Sequence, residues 1–153
     1  MKRHKSLIPL SRQHHDTLLL AQLIKKDAPA YKGLPTDIKG KREYTLITFR
    51  DHLVPHFEAE ELILIPYVLG KTEKIDKLCE QIISEHQEIS VLVELIRNEK
   101  NLETNLDKLG NLISLHVRKE ERELFEIIQE VFTEGKLLKL GKDLTYLENK
   151  KSC

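Results

Sequence analysis

Twice in this chain, at positions sixty residues apart, a histidine and a glutamate stand four residues from one another at the head of an apolar run: HFEAEELILIPYV from His56 and HVRKEERELFEII from His116. Residues four apart on an α-helix differ by about 40° in direction and roughly 6 Å in rise, so each pair shares one helical face. The apolar residues that follow also match, Leu64 with Leu124, Ile65 with Phe125 and Val68 with Ile128. Polar pairs thus fall on the side of two helices that should be buried. A buried imidazole or carboxylate needs a partner, so the fold must bring these groups to one.

The rest of the chain reads as helix too. Apolar residues recur at spacings of three and four, and strict alternation is almost absent. A first helix is expected from about Pro9 to Asp27 and a second from about Asp37 to Val68, separated by the loop APAYKGLPTDIKG. The third runs from about Glu73 to Arg97, with Thr72 as N-cap and Gly70 closing the helix before it. The fourth spans about Glu103 to Phe132, and a short amphipathic tail helix is expected within about 135–148, around Leu137 to Leu147. Short connections favour antiparallel neighbours, so the expected architecture is all-α, an antiparallel up-and-down four-helix bundle with a short C-terminal helix. Pro55 falls inside the second helix, where it predicts a kink or a restart just before His56.

A chain of 153 residues with 40% apolar content is expected to form one domain over 1–153, its bundle core at about 9–132. Lys plus Arg and Asp plus Glu number 25 each, so the charge balance gives no case for nucleic acid. The basic stretches MKRHK and NKKSC read as solvated tails. No apolar run is long enough to span a bilayer, and no membrane partner is expected. Two cysteines make no disulfide framework, and the expected compartment is the reducing cytoplasm. Cys79 reads as a small buried apolar residue and Cys153 as a mobile terminal one.

Each HxxxE pair has an upstream companion. QHHDTLL places His15 three residues before Leu18, and EHQEISVL places His86 three residues before Ile89, so both set a histidine beside an apolar stripe. The chain therefore repeats one unit twice, a helix with one inward histidine and then a helix with HxxxE. His15 to His56 is 41 residues and His86 to His116 is 30, and the extra 11 fall in the first loop. Four helices supplying His15, His56 with Glu60, His86, and His116 with Glu120 would converge on one interior volume as ligands for two metal ions, Glu60 and Glu120 bridging. Mixed imidazole and carboxylate ligation suits iron better than calcium or magnesium, with zinc or manganese as alternatives. His14 competes with His15 and is expected to face outward or to stand behind the ligands. His52, one turn before His56, is expected near the mouth of the bundle, and Tyr67 is expected to pack. Glu61 and Glu121 point about 100° away from their neighbours and are expected in solvent or hydrogen-bonded to a ligand.

With QHHDTL, HFEAEE, EHQEI and HVRKEE in place, the sequence resembles the hemerythrin-like domains of the HHE cation-binding type over roughly Pro9 to Phe132. The resemblance implies a non-haem di-iron centre, oxo- or hydroxo-bridged, coordinated by His15, His56, Glu60, His86, His116 and Glu120. Oxygen-carrying hemerythrins have a fifth histidine where Ser90 stands here, and a carboxylate five residues after the fourth-helix histidine rather than four, as at Glu120. The pattern is closer to the hemerythrin-like domains of iron-sulfur cluster repair proteins, although the cysteine-bearing N-terminal domain of those proteins has no counterpart in this sequence.

The function expected is to bind, sense or react with a small oxidant such as O2, NO or peroxide. A redox enzyme or an iron donor for cluster repair is the alternative, and a metal-free helical interaction module a third. Because imidazole must be neutral to coordinate, metal binding is expected to be lost in acid.

Overall fold

The structure is a computed structural model that describes residues 2–151, and these form five helices with no strand among them. Helix α1 is Ile8–Ile24. Helix α2 covers 38–68 as one uninterrupted run in five pieces, Ile38–Thr48, a wide π turn at Phe49–Leu53, Val54–Ala59, a second π turn at Glu60–Leu64, and Ile65–Val68. Helix α3 is Glu73–Arg97. Helix α4 covers 102–131 as Leu102–Lys119, a π turn at Glu120–Leu124 and Phe125–Val131, and α5 is Glu134–Lys151. Cys153 lies outside the described residues.

The helix ends follow from local chemistry. Thr72 adopts an extended backbone and its hydroxyl accepts from the amide of Ile75 at 3.1 Å, which caps α3 where the sequence expects it. Gly70, with φ +89°, turns the chain after α2 in a conformation that costs only glycine nothing. Helix α1 stops at Ile24, three residues before the expected Asp27. Lys25 is extended, and the amide of Lys26 donates to Asp107 of α4 at 2.8 Å, so the chain leaves the helix into a waiting acceptor. Helix α5 is longer than expected. Its Gly141, a weak helix former, is needed because a side chain there would come within 2.7 Å of the Ser6 hydroxyl.

Pro55 does not restart α2. The backbone stays right-handed helical from Leu53 through Val54, and the amide of Val54 reaches back five residues to Phe49. The lost proline donor thus falls where the ladder has already changed register, and Pro66 follows the second π turn in the same way.

Helix α1 packs along α4 and against α2, α3 packs along α4, and α2 also meets α3 and α4. Gly110 lets α4 lie close against α1, since a Cβ there would lie 2.7 Å from the carbonyl oxygen of Ala21. Helix α5 covers α2 at Val54–Ala59 and at Glu60–Leu64. The apolar interior is in two layers. One gathers Leu10, Val68, Ile82, Phe125 and Ile128 with Leu137, Leu140 and Leu144 of α5. The other gathers Leu20, Leu53, Ile89, Ile96, Leu109 and Ile113. Between the two layers every long helix carries a polar side chain inward.

Cys79 is fully buried and unpaired, and burial pushes its thiol up to about 12, as fits a small core residue. Within the N-terminal basic stretch Lys2 and Lys5 are exposed as expected, but Arg3 and His4 are not solvated. Arg3 lies over the ring of Phe125 and donates to Gln129, to the backbone carbonyl of Glu121 and to its carboxylate, while His4 meets Glu134 at 3.0 Å. These two side chains are held by acidic partners on α4 and α5.

Candidate metal centre

Six side chains meet between the two apolar layers: His14 from α1, His56 and Glu60 from α2, His86 from α3, and His116 and Glu120 from α4. All are buried, the two glutamates completely. Five of the six stand where the sequence places them together. The sixth is His14, not His15, and this corrects the expectation that His15 faces the cluster while His14 faces outward or stands behind the ligands. The inward stripe of α1 is Leu10, His14, Thr17, Ala21 and Ile24, spaced four, three, four and three, while His15 is exposed and Leu18 is 37% exposed. Polar Thr17 hid this register, yet it is buried at little cost because its hydroxyl donates to the carbonyl of Gln13 in its own helix.

The inner nitrogens of the four imidazoles all point at the two carboxylates. His14 Nε2 lies 3.1 Å from His56 Nε2 and 3.0 Å from Glu120 Oε2. His86 Nε2 lies 3.0 Å from Glu60 Oε1, and His56 Nε2 lies 3.4 Å from Glu60 Oε2. His116 Nε2 and Glu120 Oε1 are 2.6 Å apart but are not aligned for a hydrogen bond, so both are buried without a hydrogen-bond partner, as is Glu60 Oε2. Close spacing with lone pairs aimed past one another is the arrangement of atoms that share a cation. Two overlapping groups result, His14, His56, Glu60 and Glu120 on one side and Glu60, His86, His116 and Glu120 on the other, their ligand atoms within 4.8 Å of one another. The donor set of imidazole nitrogen and carboxylate oxygen suits first-row transition ions.

Every outer nitrogen has an acceptor. His14 Nδ1 donates to Glu121 at 2.8 Å, His56 Nδ1 to Gln13 at 2.6 Å, His86 Nδ1 to Glu61 at 3.0 Å and His116 Nδ1 to Glu85 at 2.8 Å. These bonds fix each ring and leave its Nε2 lone pair inward. Glu85 is in turn gripped by Lys119, and Glu121 by Arg3. Glu61 and Glu121 therefore hydrogen-bond the inward imidazoles of His86 and His14. Gln13, Glu85, Lys119 and Arg3 escaped the sequence reading, although Gln13 and Glu85 stand one residue before the inward histidines of their halves.

Electrostatics in the protein alone follow from this crowding. Burial would lower the His56 imidazole, but the carboxylates of Glu60 and Glu120 outweigh it and hold it at about 10. His116 is likewise lifted to about 10 against burial, chiefly by Glu120. Burial would raise Glu120, and the surrounding imidazoles hold it well below the usual carboxylate range instead. Protons and a cation thus compete for the same atoms.

Aromatic rings close the site. Phe57 stacks on His86 with ring centres 3.8 Å apart, and Phe125 lies parallel to His14 at 6.0 Å. His52 is half exposed and faces Asp16 at 3.6 Å, outside the cluster. Tyr67 donates to the carbonyl of Lys136 and packs near Phe132, away from the site.

The sequence model of the hemerythrin HHE cation binding domain matches residues 9–128, which span α1 to α4 and all six inward ligand candidates. The chain belongs to the hemerythrin HHE cation-binding family. Comparison with curated proteins and with solved structures gives no significant match. Among the described residues no helix of this hemerythrin-type chain is long and apolar enough to cross a membrane.

Proposed function

We propose that this hemerythrin-type chain is a single domain, an antiparallel up-and-down bundle of α1 to α4 with α5 as an appended tail helix, that holds two iron ions and binds, senses or reacts with a small oxidant such as O2, NO or peroxide. The observation that carries the reading is the set of buried atoms without hydrogen-bond partners, Glu60 Oε2, His116 Nε2 and Glu120 Oε1, at the junction of two four-ligand groups. Buried donors and acceptors left without a hydrogen bond are costly, and a shared cation would satisfy them. His14, His56, Glu60 and Glu120 would hold one ion and Glu60, His86, His116 and Glu120 the other. Iron bound there supplies reversible electron transfer and coordination positions for a small ligand.

The chain's own residues supply the remainder. Gln13, Glu61, Glu85 and Glu121 hold the four rings in the tautomer that presents Nε2, and Phe57 and Phe125 keep bulk water from the carboxylates. A surface cleft of about 380 Å³ lined by Phe57, Glu61, His86 and Ser90 reaches the His86 side, and a diatomic molecule or peroxide could use it. Where oxygen carriers place a further histidine, Ser90 donates to the carbonyl of His86 at 2.9 Å, so this side keeps its opening. The reading places the protein in the cytoplasm, where an unpaired Cys79 stays reduced.

The test is elemental analysis after anaerobic loading with ferrous iron and desalting. The expected result is one ion for each four-ligand group, two per chain. Retention of no iron, manganese or zinc would sink the metal reading. With loaded protein, stoichiometric oxidation by O2 or peroxide is expected, and steady turnover with an added reductant would instead make the protein an enzyme.

A further inference from the structure

The internal repeat makes His14 the counterpart of His86 and His56 the counterpart of His116. Their outer partners correspond in the same way. Glu121 on His14 answers to Glu61 on His86, and Gln13 on His56 answers to Glu85 on His116. Three of the four partners are carboxylates and one is an amide. Each half also has one cation bracing one of these carboxylates, Arg3 on Glu121 and Lys119 on Glu85. Those braced pairs balance one another. What remains is Gln13, a neutral amide, on the His14 and His56 side, and Glu61, against which the described residues set no lysine or arginine, on the His86 and His116 side.

The inner ligands are the same on both sides, two imidazoles and the two shared carboxylates. The difference in charge between the two sides therefore lies behind the imidazoles. A carboxylate that accepts the Nδ1 proton's hydrogen bond draws that proton outward and leaves more electron density on Nε2, and an amide oxygen does so less. The fixed negative charge of Glu61 adds to the attraction for a cation on its side.

We infer that the two metal positions are unequal, that the position between His86 and His116 takes the first divalent cation, and that Gln13 sets the difference by withholding a carboxylate from His56. This rests on the paired-centre reading of the cluster. Gln13 is a positioning residue in this scheme, since it acts only through the imidazole of His56.

The experiment uses cobalt(II), which is stable in air and has an accessible absorption edge. Metal-free protein of the full chain is given one equivalent of cobalt and crystallised, and anomalous difference density at the cobalt edge reports which position is filled. The expected peak lies between His86 and His116. In Gln13→Glu the density should redistribute toward the His14 and His56 position. In Glu85→Gln the first cobalt should bind roughly 10–100-fold more weakly in competition with a chromophoric chelator, the scale seen when such outer partners are removed. Equal peaks in the wild-type protein, a dominant peak at His14 and His56, or an unchanged distribution in Gln13→Glu would each overturn the inference. These results are separable from failure of the underlying reading, which would show as no cobalt at either position. A merely structural role for Gln13 would change stability but would not move the metal from one position to the other.

Discussion

Glu120 belongs to both four-ligand groups, so Glu120→Gln removes one carboxylate ligand from each ion while keeping the side chain's shape. Its oxygens lie 3.0 Å from His14 Nε2 and 2.6 Å from His116 Nε2, and it is fully buried, so no water can take its place without repacking. Removal of an outer partner of a metal ligand costs about 10–100-fold in affinity, and removal of the ligand itself should reach at least the upper end of that range. With free metal at about 100 times the wild-type dissociation constant of each site, each ion stabilises the folded state by about 2.7 kcal/mol and the two together by about 5.4 kcal/mol, whereas two 100-fold weaker sites under the same conditions give about 0.8 kcal/mol. For a domain of this size the wild-type melting temperature should rise by about 11–22 °C on loading and that of the variant by about 2–3 °C. The assay is thermal unfolding by circular dichroism under anaerobic ferrous iron and in chelator, each protein compared with its own metal-free form. Glu123→Gln, on the exposed side of the same π turn, serves as the control and should behave as wild type. Equal metal-induced shifts in Glu120→Gln and wild type would refute the placement of Glu120 at a shared cation, and so would the absence of any shift in the wild type.

His14→Ala should lower metal stoichiometry while His15→Ala leaves it unchanged, because only His14 faces the carboxylates; elemental analysis decides, and the reverse result would restore the register first expected of α1. In metal-free protein the raised His56 and His116 imidazoles contribute stability that is complete below their unfolded value of 6.5 and is lost as pH rises through about 10. Urea midpoints in chelator should therefore fall toward alkaline pH, whereas metal-loaded protein should lose its added stability toward acid as protons displace the ion. A flat metal-free profile across that alkaline range would contradict the geometry. Gly110→Ala should destabilise by about 1–3 kcal/mol in urea denaturation, since its Cβ would meet the Ala21 carbonyl oxygen at 2.7 Å and α1 would have to move off α4.

The helix spans were legible because their apolar spacing, the Thr72 cap and the Gly70 turn agree with one another. So were five of the six inward polar residues, since His56, Glu60, His86, His116 and Glu120 each precede an apolar stripe. His14 was not, because the choice between adjacent histidines turned on whether Thr17 or Leu18 faces inward. Hydropathy favours leucine, and only the hydroxyl's bond to Gln13 within its own helix makes threonine the buried one. The outer partners were hidden for another reason. Each Nδ1 contact joins different helices, so Glu85 or Gln13 looks in sequence like any polar residue beside a histidine. Arg3 was misread because a basic N-terminal stretch has no pattern, and its position depends on Phe125, Glu121 and Gln129 being brought together by the fold.

The π turns at Glu60–Leu64 and Glu120–Leu124 do have a signature in the sequence, in the spacing of the buried residues. His56, Glu60, Leu64 and Val68 are all buried and strictly four apart, and so are His116, Glu120, Leu124 and Ile128. A regular α-helix would carry the last of each four about 120° away from the first. One extra residue in a widened turn takes up most of that drift and returns the stripe to the core. Helix α3, whose buried residues alternate between spacings of three and four, has no such turn. Helix α4 has its turn without any proline, so Pro66 accompanies the turn in α2 rather than causing it. Deletion of Leu62, which is 60% exposed inside the α2 turn, should therefore convert that turn to α-helix and leave the flanking residues facing the core. The protein should still unfold cooperatively, with weakened metal binding because Glu61 is displaced from His86. Deletion of Glu88, exposed in α3, offers no spare residue to absorb and should rotate Ile89 to Ile96 by about 100° out of the core, leaving no cooperative transition. Thermal unfolding of both deletions checks this, and equal damage from the two would mean that the wide turns are not extra residues that hold the ligand stripe in register.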